Sequence, residues 1–281
     1  MPHPVLSYLQ AENLWRAREA GRSTANVSLD LGLSWVEVAL EATGLRLPDG
    51  QLLAWEDVAA IRESPRSCFV LEQGRPLKIQ VFSEASNRLY SLMPTDGAPT
   101  MLISGVPMHR IKGIDPQRDT RLKIKTIAPL MGDVLDTATG LGYTAIEAAK
   151  TARRVVTIEL EPAALAVARL NPWSQALFDN PKIHQIIGDS FDEIEQFDDA
   201  SFDRILHDPP AFRLAGDLYA TDFYRQLGRV LRPRGRLFHY IGDPDSKSGR
   251  SVTNSAARRL QEAGFERVVR RPEAFGLVAY R

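Results

Sequence analysis

The second half of the chain alternates solid apolar runs with segments of helical spacing, and this pattern restricts the fold more than any other feature. After about residue 125 the apolar runs are DVLDTA, RRVVTIEL, KIHQIIG, FDRILHD and GRLFHYIG. Continuous apolar runs are typical of strands that are buried on both faces. Because helical segments separate them, they predict βαβ units in a doubly wound, mostly parallel α/β sheet.

The end of the chain adds two more strands to this sheet. FERVVRRPEAFGLVAYR reads as two strands joined by a short turn. We therefore expect a Rossmann-like, mostly parallel seven-stranded sheet with an antiparallel C-terminal hairpin.

The first hundred residues have a different pattern of apolar and polar residues. Residues 8–20 have helical spacing, and short segments that alternate apolar and polar residues follow, with turn sequences such as PDGQ and EQGRP between them. We predict a small N-terminal domain of one helix and mainly β structure over 1–104. A basic linker or first helix would follow over 105–126, and the sheet domain would occupy 127–281.

Composition limits the compartment and the chemistry. The chain has 281 residues, one cysteine (Cys68), and 35 basic against 35 acidic residues. One cysteine cannot form an internal disulfide or a thiolate metal site, which favours a reducing compartment. No apolar run approaches the roughly 18–20 residues that span a bilayer, and the N-terminus has no signal pattern. We expect a cytoplasmic protein without a membrane or metal partner.

A nucleoside site is predicted where three successive strands end in carboxylates. VLDTATGLGYTAIEAAK (134–150) reads as a strand, a turn with Gly140 and Gly142, and a helix. Asp136 precedes the turn, Glu159 ends the next strand about twenty residues later, and Asp189 ends the third. A carboxylate at the position of Glu159 can accept the hydroxyls of a ribose. Any one of the three could instead be a helix cap.

The turn favours a cationic ligand over a pyrophosphate. A dinucleotide fingerprint would have a third glycine, and Ala145 stands there. Asp136 would repel a phosphate but suits an ammonium or sulfonium group. These features point to S-adenosylmethionine.

Taken together, residues 120–281 resemble a class I methyltransferase that depends on S-adenosylmethionine. DTATGLGYT resembles its first motif, Glu159 its second, GDSF its third and DPPAF its fourth. The longer run also resembles a thinly characterised family of predicted methyltransferases known mainly from archaea. The resemblance implies a cofactor site at Asp136, Thr137, Gly140, Gly142, Tyr143, Thr144, Glu159, Leu160, Asp189 and Ser190.

The DPPAF loop is the candidate catalytic segment. The resemblance implies that such loops hold planar amines, and we predict catalytic roles for Asp208, Pro209, Pro210 and Phe212. Asp208 and the Pro209 carbonyl can accept the two N–H bonds of an amine, and these bonds strengthen as the nitrogen pyramidalises. Phe212 can stack on a base and face the sulfonium. The structural alternative for Asp208 is a helix cap.

The loop departs from the family pattern at its fourth position. Ala211 stands there, so the aromatic residue comes one position late. DPPAF also occurs in RNA enzymes that methylate carbon 5 of cytosine, but those need a cysteine nucleophile, and this chain has none after Cys68. We interpret His207 and His239 as packing residues and Trp173 as a core residue.

The best-supported acceptor is an exocyclic amine of a base in RNA, either rRNA or tRNA. Two segments, 105–126 and 247–271, carry local excesses of lysine and arginine that could contact phosphates. The neutral net charge argues against a nucleic acid. The alternatives are a small-molecule or protein amine, or aminopropyl transfer to a polyamine from decarboxylated S-adenosylmethionine. The N-terminal domain could hold RNA, cover the sheet domain or form a homodimer face.

Overall fold

The computed structural model describes residues 3–210, 215–243, 246 and 249–281. The chain divides into two compact units. The first comprises Met1–Gln117 with Ala163–Gln175, and the second comprises Arg118–Pro162 with Ala176–Arg281. The predicted boundaries at residues 104 and 126 stay a prediction.

Short antiparallel strands and two helices make up the first hundred residues of the first unit. In chain order the elements are β1 (Val5–Ser7), α1 (Tyr8–Glu19), β2 (Thr24–Val27), β3 (Val36–Leu40), β4 (Gly44–Arg46), β5 (Leu52–Ala54), α2 (Trp55–Arg62), β6 (Cys68–Glu72), β7 (Arg75–Lys78), β8 (Gln80–Ser83), β9 (Arg88–Met93), β10 (Thr100–Ile103) and β11 (Val106–Pro107).

Three small sheets arise from this order within the described residues. Their strand orders are β1-β6-β7, β2-β3-β4-β5 and β11-β10-β9-β8. Helix α1 begins with a capping box: Gln10 Oε1 accepts from the Ser7 backbone N–H at 2.9 Å, and Ser7 Oγ accepts from Leu9 N at 3.3 Å. The helix buries Leu14 in a core that includes Leu45 and Ile61.

A helix that enters the second unit and an alternation of strands and helices follow. These elements are α3 (Pro116–Ile127), β12 (Asp133–Asp136), α4 (Tyr143–Ala149), β13 (Arg154–Glu159), α5 (Pro162–Leu170), α6 (Gln175–Asp179), β14 (Ile183–Ile187), α7 (Ser190–Glu193), β15 (Phe202–His207), α8 (Thr221–Val230), β16 (Leu231–Tyr240), α9 (Gly249–Glu262), β17 (Arg267–Arg271) and β18 (Gly276–Tyr280).

One sheet of seven strands organises the second unit. Its order is β14-β13-β12-β15-β16-β18-β17. The pairings from β14 to β16 are parallel, whereas β18 runs antiparallel to both β16 and β17. The predicted α/β sheet with an antiparallel C-terminal hairpin is therefore confirmed.

Buried apolar strands hold the helices against this sheet. Strand β12 is buried along its whole length, and Leu135 joins a core with Ile205 of β15 and Leu237 of β16. Helix α8 buries Phe223 and Tyr224 in the same core. None of the described helices combines the length and the apolar character needed to cross a bilayer.

Candidate functional site

Four acidic residues lie at one edge of the seven-stranded sheet. Asp136 and Glu159 end strands β12 and β13, while Asp189 and Asp208 follow β14 and β15. These four strands are parallel, and neighbouring strand ends pair in register, Asp136 with Leu206 and Glu159 with Ile187. In doubly wound sheets this carboxyl edge is where ligands bind.

The glycine turn after β12 bends tightly and approaches its neighbours closely. Gly140 and Gly142 have φ of +55° and +77°, a conformation that glycine adopts without strain. A Cβ on Gly142 would lie 2.6 Å from the Leu177 side chain. The Gly140 backbone N–H donates to Glu159 Oε2 at 2.7 Å, so the turn is tied to the end of β13.

Glu159 is held in place by backbone groups and keeps the capacity to accept more hydrogen bonds. Its Oε1 accepts from the Glu161 N–H at 3.0 Å, and burial raises the pKa of its carboxyl. A carboxylate offers about four acceptor positions, and the backbone N–H groups of Gly140, Leu160 and Glu161 use at most three of them. Beside it, Leu160 and Ile187 are 65% and 61% exposed, an apolar pair suited to a flat ring.

Asp136 is a fully buried carboxylate with one unsatisfied oxygen. Its Oδ2 accepts from the Thr144 hydroxyl at 2.8 Å and the Thr157 hydroxyl at 3.3 Å. Its Oδ1 has no hydrogen-bond partner among the described residues. Burial raises the pKa of Asp136 to about 7, and the negative charge of Asp208 adds to the shift. A buried acceptor without a partner is costly, so this oxygen suits a cationic or donating ligand.

The remaining predicted cofactor residues lie near this edge, and their contacts in the structure mainly connect strands and cap helices. The Ser190 hydroxyl donates to the Thr137 carbonyl at 2.6 Å, joining the ends of two strands. Asp189 caps α7 by accepting from the Phe191 N–H at 2.9 Å, as the capping alternative anticipates. Tyr143 is buried at the start of α4. Cofactor roles for these residues stay predictions.

Asp208 does not stand alone: it forms an ion pair with a buried lysine. Lys123 Nζ, on a side chain only 4% exposed, lies 2.6 Å from Asp208 Oδ2 and 2.8 Å from Asp119 Oδ2. It also lies 4.5 Å from the centre of the Tyr240 ring. Burial would lower the pKa of Lys123, but the charges of Asp208 and Asp119 raise it above its ordinary value.

The ion pair is the part of the site that sequence reasoning missed. Lys123 is one of the basic residues of 105–126 for which the sequence predicts phosphate contacts, and its burial contradicts that role. Arg118, Arg121 and Lys125 on the same helix are exposed. The available signal was the spacing of Asp119 and Lys123, four residues apart on one face of an amphipathic helix.

The prolines of the DPPAF loop follow Asp208, the first residue after β15. Pro209 is buried, and the Pro210 carbonyl accepts from the buried Tyr219 hydroxyl at 3.1 Å. Burial raises the pKa of Tyr219, and the nearby charge of Asp208 raises it further. Ala211 and Phe212 lie outside the described residues, so the predicted stacking role of Phe212 stays a prediction.

Two buried histidines behind the loop act in packing. His207 Nε2 lies 2.9 Å from the Leu218 carbonyl, which can only accept, so Nδ1 accepts from the Thr137 hydroxyl at 2.7 Å. His239 Nε2 lies 2.8 Å from the Tyr224 hydroxyl. Burial lowers the pKa of His207 to about 3 and that of His239 well below its ordinary value. Both rings are therefore neutral packing groups.

Trp173 belongs to the first unit. Its indole N–H donates to the Leu31 carbonyl at 3.1 Å, and its ring is half-buried. These contacts give Trp173 a structural role.

Known proteins resemble this chain in fold and in sequence. Spermidine synthase from Thermotoga maritima superposes with a TM-score of 0.57 at 17% identity, covering 72% of this chain and 70% of that one. A spermidine synthase in complex with the transition-state analogue AdoDATO gives a TM-score of 0.59, also at 17% identity, over 74% and 76% of the two chains. At this level of identity the likeness shows the fold alone, a class I methyltransferase fold.

Sequence comparison assigns the family. The model of the methyltransferase small domain matches residues 110–270, and the chain belongs to that family. An uncharacterised protein of Methanocaldococcus jannaschii is 40% identical over 84% of this chain and 81% of its own length. A polyamine aminopropyltransferase of Mycobacterium tuberculosis is 32% identical over 33% of this chain and only 19% of that protein.

Proposed function

We propose that this chain transfers a methyl group from S-adenosylmethionine to an amine nitrogen, and that the acceptor is an exocyclic amine of a base in RNA. The observation that carries the proposal is the pair of carboxylates on neighbouring strand ends. Asp136 has a buried oxygen with no hydrogen-bond partner among the described residues, and the Asp208 side chain is 22% exposed to solvent. One can meet a cationic donor and the other an amine acceptor.

The residues on the donor side fit the cofactor that the family implies. Asp136 Oδ1 can accept from an ammonium group or lie against a sulfonium, and either gives the buried oxygen a partner. Glu159 can accept from ribose hydroxyls, and Leu160 and Ile187 can contact an adenine ring. Bound S-adenosylmethionine supplies an electrophilic methyl group on a positively charged sulfur.

On the acceptor side the chain holds and orients the nucleophile. Asp208 and the Pro209 carbonyl would accept the N–H bonds of an amine and aim its nitrogen at the methyl carbon. A nitrogen that gains a carbon carries one proton too many, and the Asp208 carboxylate can hold that proton until it leaves to solvent. Proline rings restrict the backbone that carries this carbonyl.

A second candidate, aminopropyl transfer to a polyamine, is favoured by two observations. Spermidine synthases share the fold, and among the described residues the carboxylates of Asp119, Asp136 and Asp208 lie around the ammonium of Lys123. An acidic site favours a cationic substrate. Exposed Arg118, Arg121 and Lys125 on α3 support the RNA alternative, because they can contact phosphates.

Calorimetric titration of the full chain with S-adenosylmethionine, its decarboxylated form and NAD separates the candidates. We expect the strongest binding to S-adenosylmethionine. Preference for the decarboxylated form would replace the proposal with aminopropyl transfer, and preference for NAD would contradict both. If S-adenosylmethionine binds, incubation with the labelled cofactor and total RNA should label RNA.

The Asp208→Ala variant tests the acceptor role. It should abolish transfer while leaving the affinity for S-adenosylmethionine nearly unchanged. Asp217→Ala, at an exposed position after the loop, is the matched control and should keep full activity. If the affinity of Asp208→Ala for the cofactor falls as far as its activity, Asp208 belongs to the donor side and the assignment is wrong.

A further inference from the structure

The acceptor carboxylate lies in a site built for an ammonium ion, and the chain itself supplies the ion. Lys123 Nζ contacts Asp119 Oδ2 and Asp208 Oδ2 at 2.8 and 2.6 Å and faces the Tyr240 ring at 4.5 Å. Two carboxylates and an aromatic face are the groups that recognise a primary ammonium in proteins. Asp119 is fully buried and Lys123 nearly so, so this is a built feature of the interior.

A lysine in this position changes which amines can approach Asp208. A second ammonium bound to the same carboxylate would lie roughly 4–5 Å from Nζ, since each nitrogen needs a hydrogen-bond distance of about 2.8 Å. Like charges at that separation repel strongly in a partly buried site. An uncharged amine has no such repulsion and needs only an acceptor for its N–H bonds.

We infer that Lys123 is a specificity-determining residue: it fills the cation site of Asp119, Asp208 and Tyr240, and so restricts the acceptor at Asp208 to an uncharged amine. The inference rests on the proposed function, since it describes the acceptor side of that same site. It specifies the substrate class as a neutral planar amine, such as an aniline-like nitrogen of a base. Protonated polyamines and protonated lysine side chains are excluded.

Removal of the internal ammonium should reverse this preference. In Lys123→Met the side chain keeps its length but loses its charge, so Asp119, Asp208 and Tyr240 lose the ammonium that Lys123 supplies. Titrated with spermidine at low salt, the wild-type chain should show weak binding or none. The variant should bind at least tenfold more tightly. Lys123→Arg retains the charge and should behave as the wild type.

Two control variants separate the local site from general electrostatics. Lys125→Met removes an exposed charge from the same helix and should leave spermidine binding unchanged. Asp119→Asn combined with Lys123→Met has the net charge of the wild type. It should bind spermidine at least tenfold less tightly than Lys123→Met alone, because one carboxylate of the cation site is gone.

Two results of the spermidine titrations would overturn the inference. The first is equal spermidine affinity in the wild type and in a folded Lys123→Met variant. The second is an equal increase in spermidine affinity in Lys123→Met and Lys125→Met. If Lys123→Met does not fold, Lys123→Gln makes the same test, because its amide can still donate to Asp208. The spermidine titrations contain no S-adenosylmethionine. Failure of the proposed function would appear as absent S-adenosylmethionine binding, which is a separate measurement.

Discussion

The carboxylates on the two sides of the candidate site have different surroundings: Asp136 represents the donor side, and Asp208 with Asp119 represents the acceptor side. On the donor side, Asp136 has hydroxyl partners for one oxygen and no hydrogen-bond partner among the described residues for the other, and burial raises its pKa. On the acceptor side, Asp208 and the buried Asp119 share the ammonium of Lys123.

This difference indicates where a charged ligand belongs. A buried carboxylate without a counter-ion gains most from a cationic ligand, so positive charge is expected beside Asp136. A carboxylate that already has a counter-ion gains little from a second one, so Asp208 is better suited to hydrogen bonding than to charge pairing. The donor side would then bind a cation and the acceptor side a neutral group.

The largest expected effect is on stability, from removal of the ammonium that serves the acceptor side. Lys123→Met removes the ammonium that pairs with the buried Asp119, and the free energy of unfolding should fall by about 3–5 kcal/mol. Chemical denaturation measures this. Adding Asp119→Asn should restore much of the loss, and a double variant no more stable than the single one would show that the pair does not act as a unit.

A smaller effect, of a few kcal/mol, is expected from the uncompensated charge on the donor side. Burial in the folded chain raises the pKa of the Asp136 carboxyl from an ordinary value of 3.8 to about 7. Between these values the folded state binds more protons, so stability falls as pH rises through this window. Asp136→Asn lacks this penalty, and its stability relative to the wild type should grow from pH 4 to pH 8.

Denaturation curves at several pH values test this, with the exposed Asp217→Asn as the matched control. A difference between Asp136→Asn and the wild type that does not change with pH would mean that Asp136 already has a counter-ion in the folded chain, and the contrast between the two sides would disappear.

Glu159 should affect cofactor affinity more moderately. Glu159→Gln weakens the acceptors offered to the ribose hydroxyls, and the affinity for S-adenosylmethionine should fall by about 1–3 kcal/mol. Calorimetry measures this, with Glu195→Gln, exposed on the same unit, as the control. Unchanged binding in Glu159→Gln would remove Glu159 from the donor side.

The smallest expected effect concerns the backbone of the acceptor loop. Tyr219→Phe removes the hydroxyl that donates to the Pro210 carbonyl, which should lower the free energy of unfolding by about 0.5–1.5 kcal/mol. Thermal unfolding measures the loss. A much larger loss would mean that this hydrogen bond stabilises more of the structure than the loop.

The donor side was predictable from sequence because its geometry follows from strand pairing. Asp136 and Glu159 end consecutive apolar runs, and parallel strands bring their carboxyl ends to one edge. The fold of the second unit follows from the same periodicity. The burial of Lys123 was not predictable in this way. An aspartate and a lysine four residues apart give the same sequence pattern on a solvated helix face as on a buried one. Only the folded chain, which brings Lys123 to Asp208, decides between them.

The neutral histidine pair next to the loop has a kinetic consequence. An imidazole whose pKa is about 3, as in His207, does not change protonation in any assay near neutrality. A plot of turnover against pH should therefore lack the inflection that an ordinary histidine produces near pH 6.5. An inflection near neutrality would instead report the carboxyl of Asp136, whose pKa burial raises to about 7.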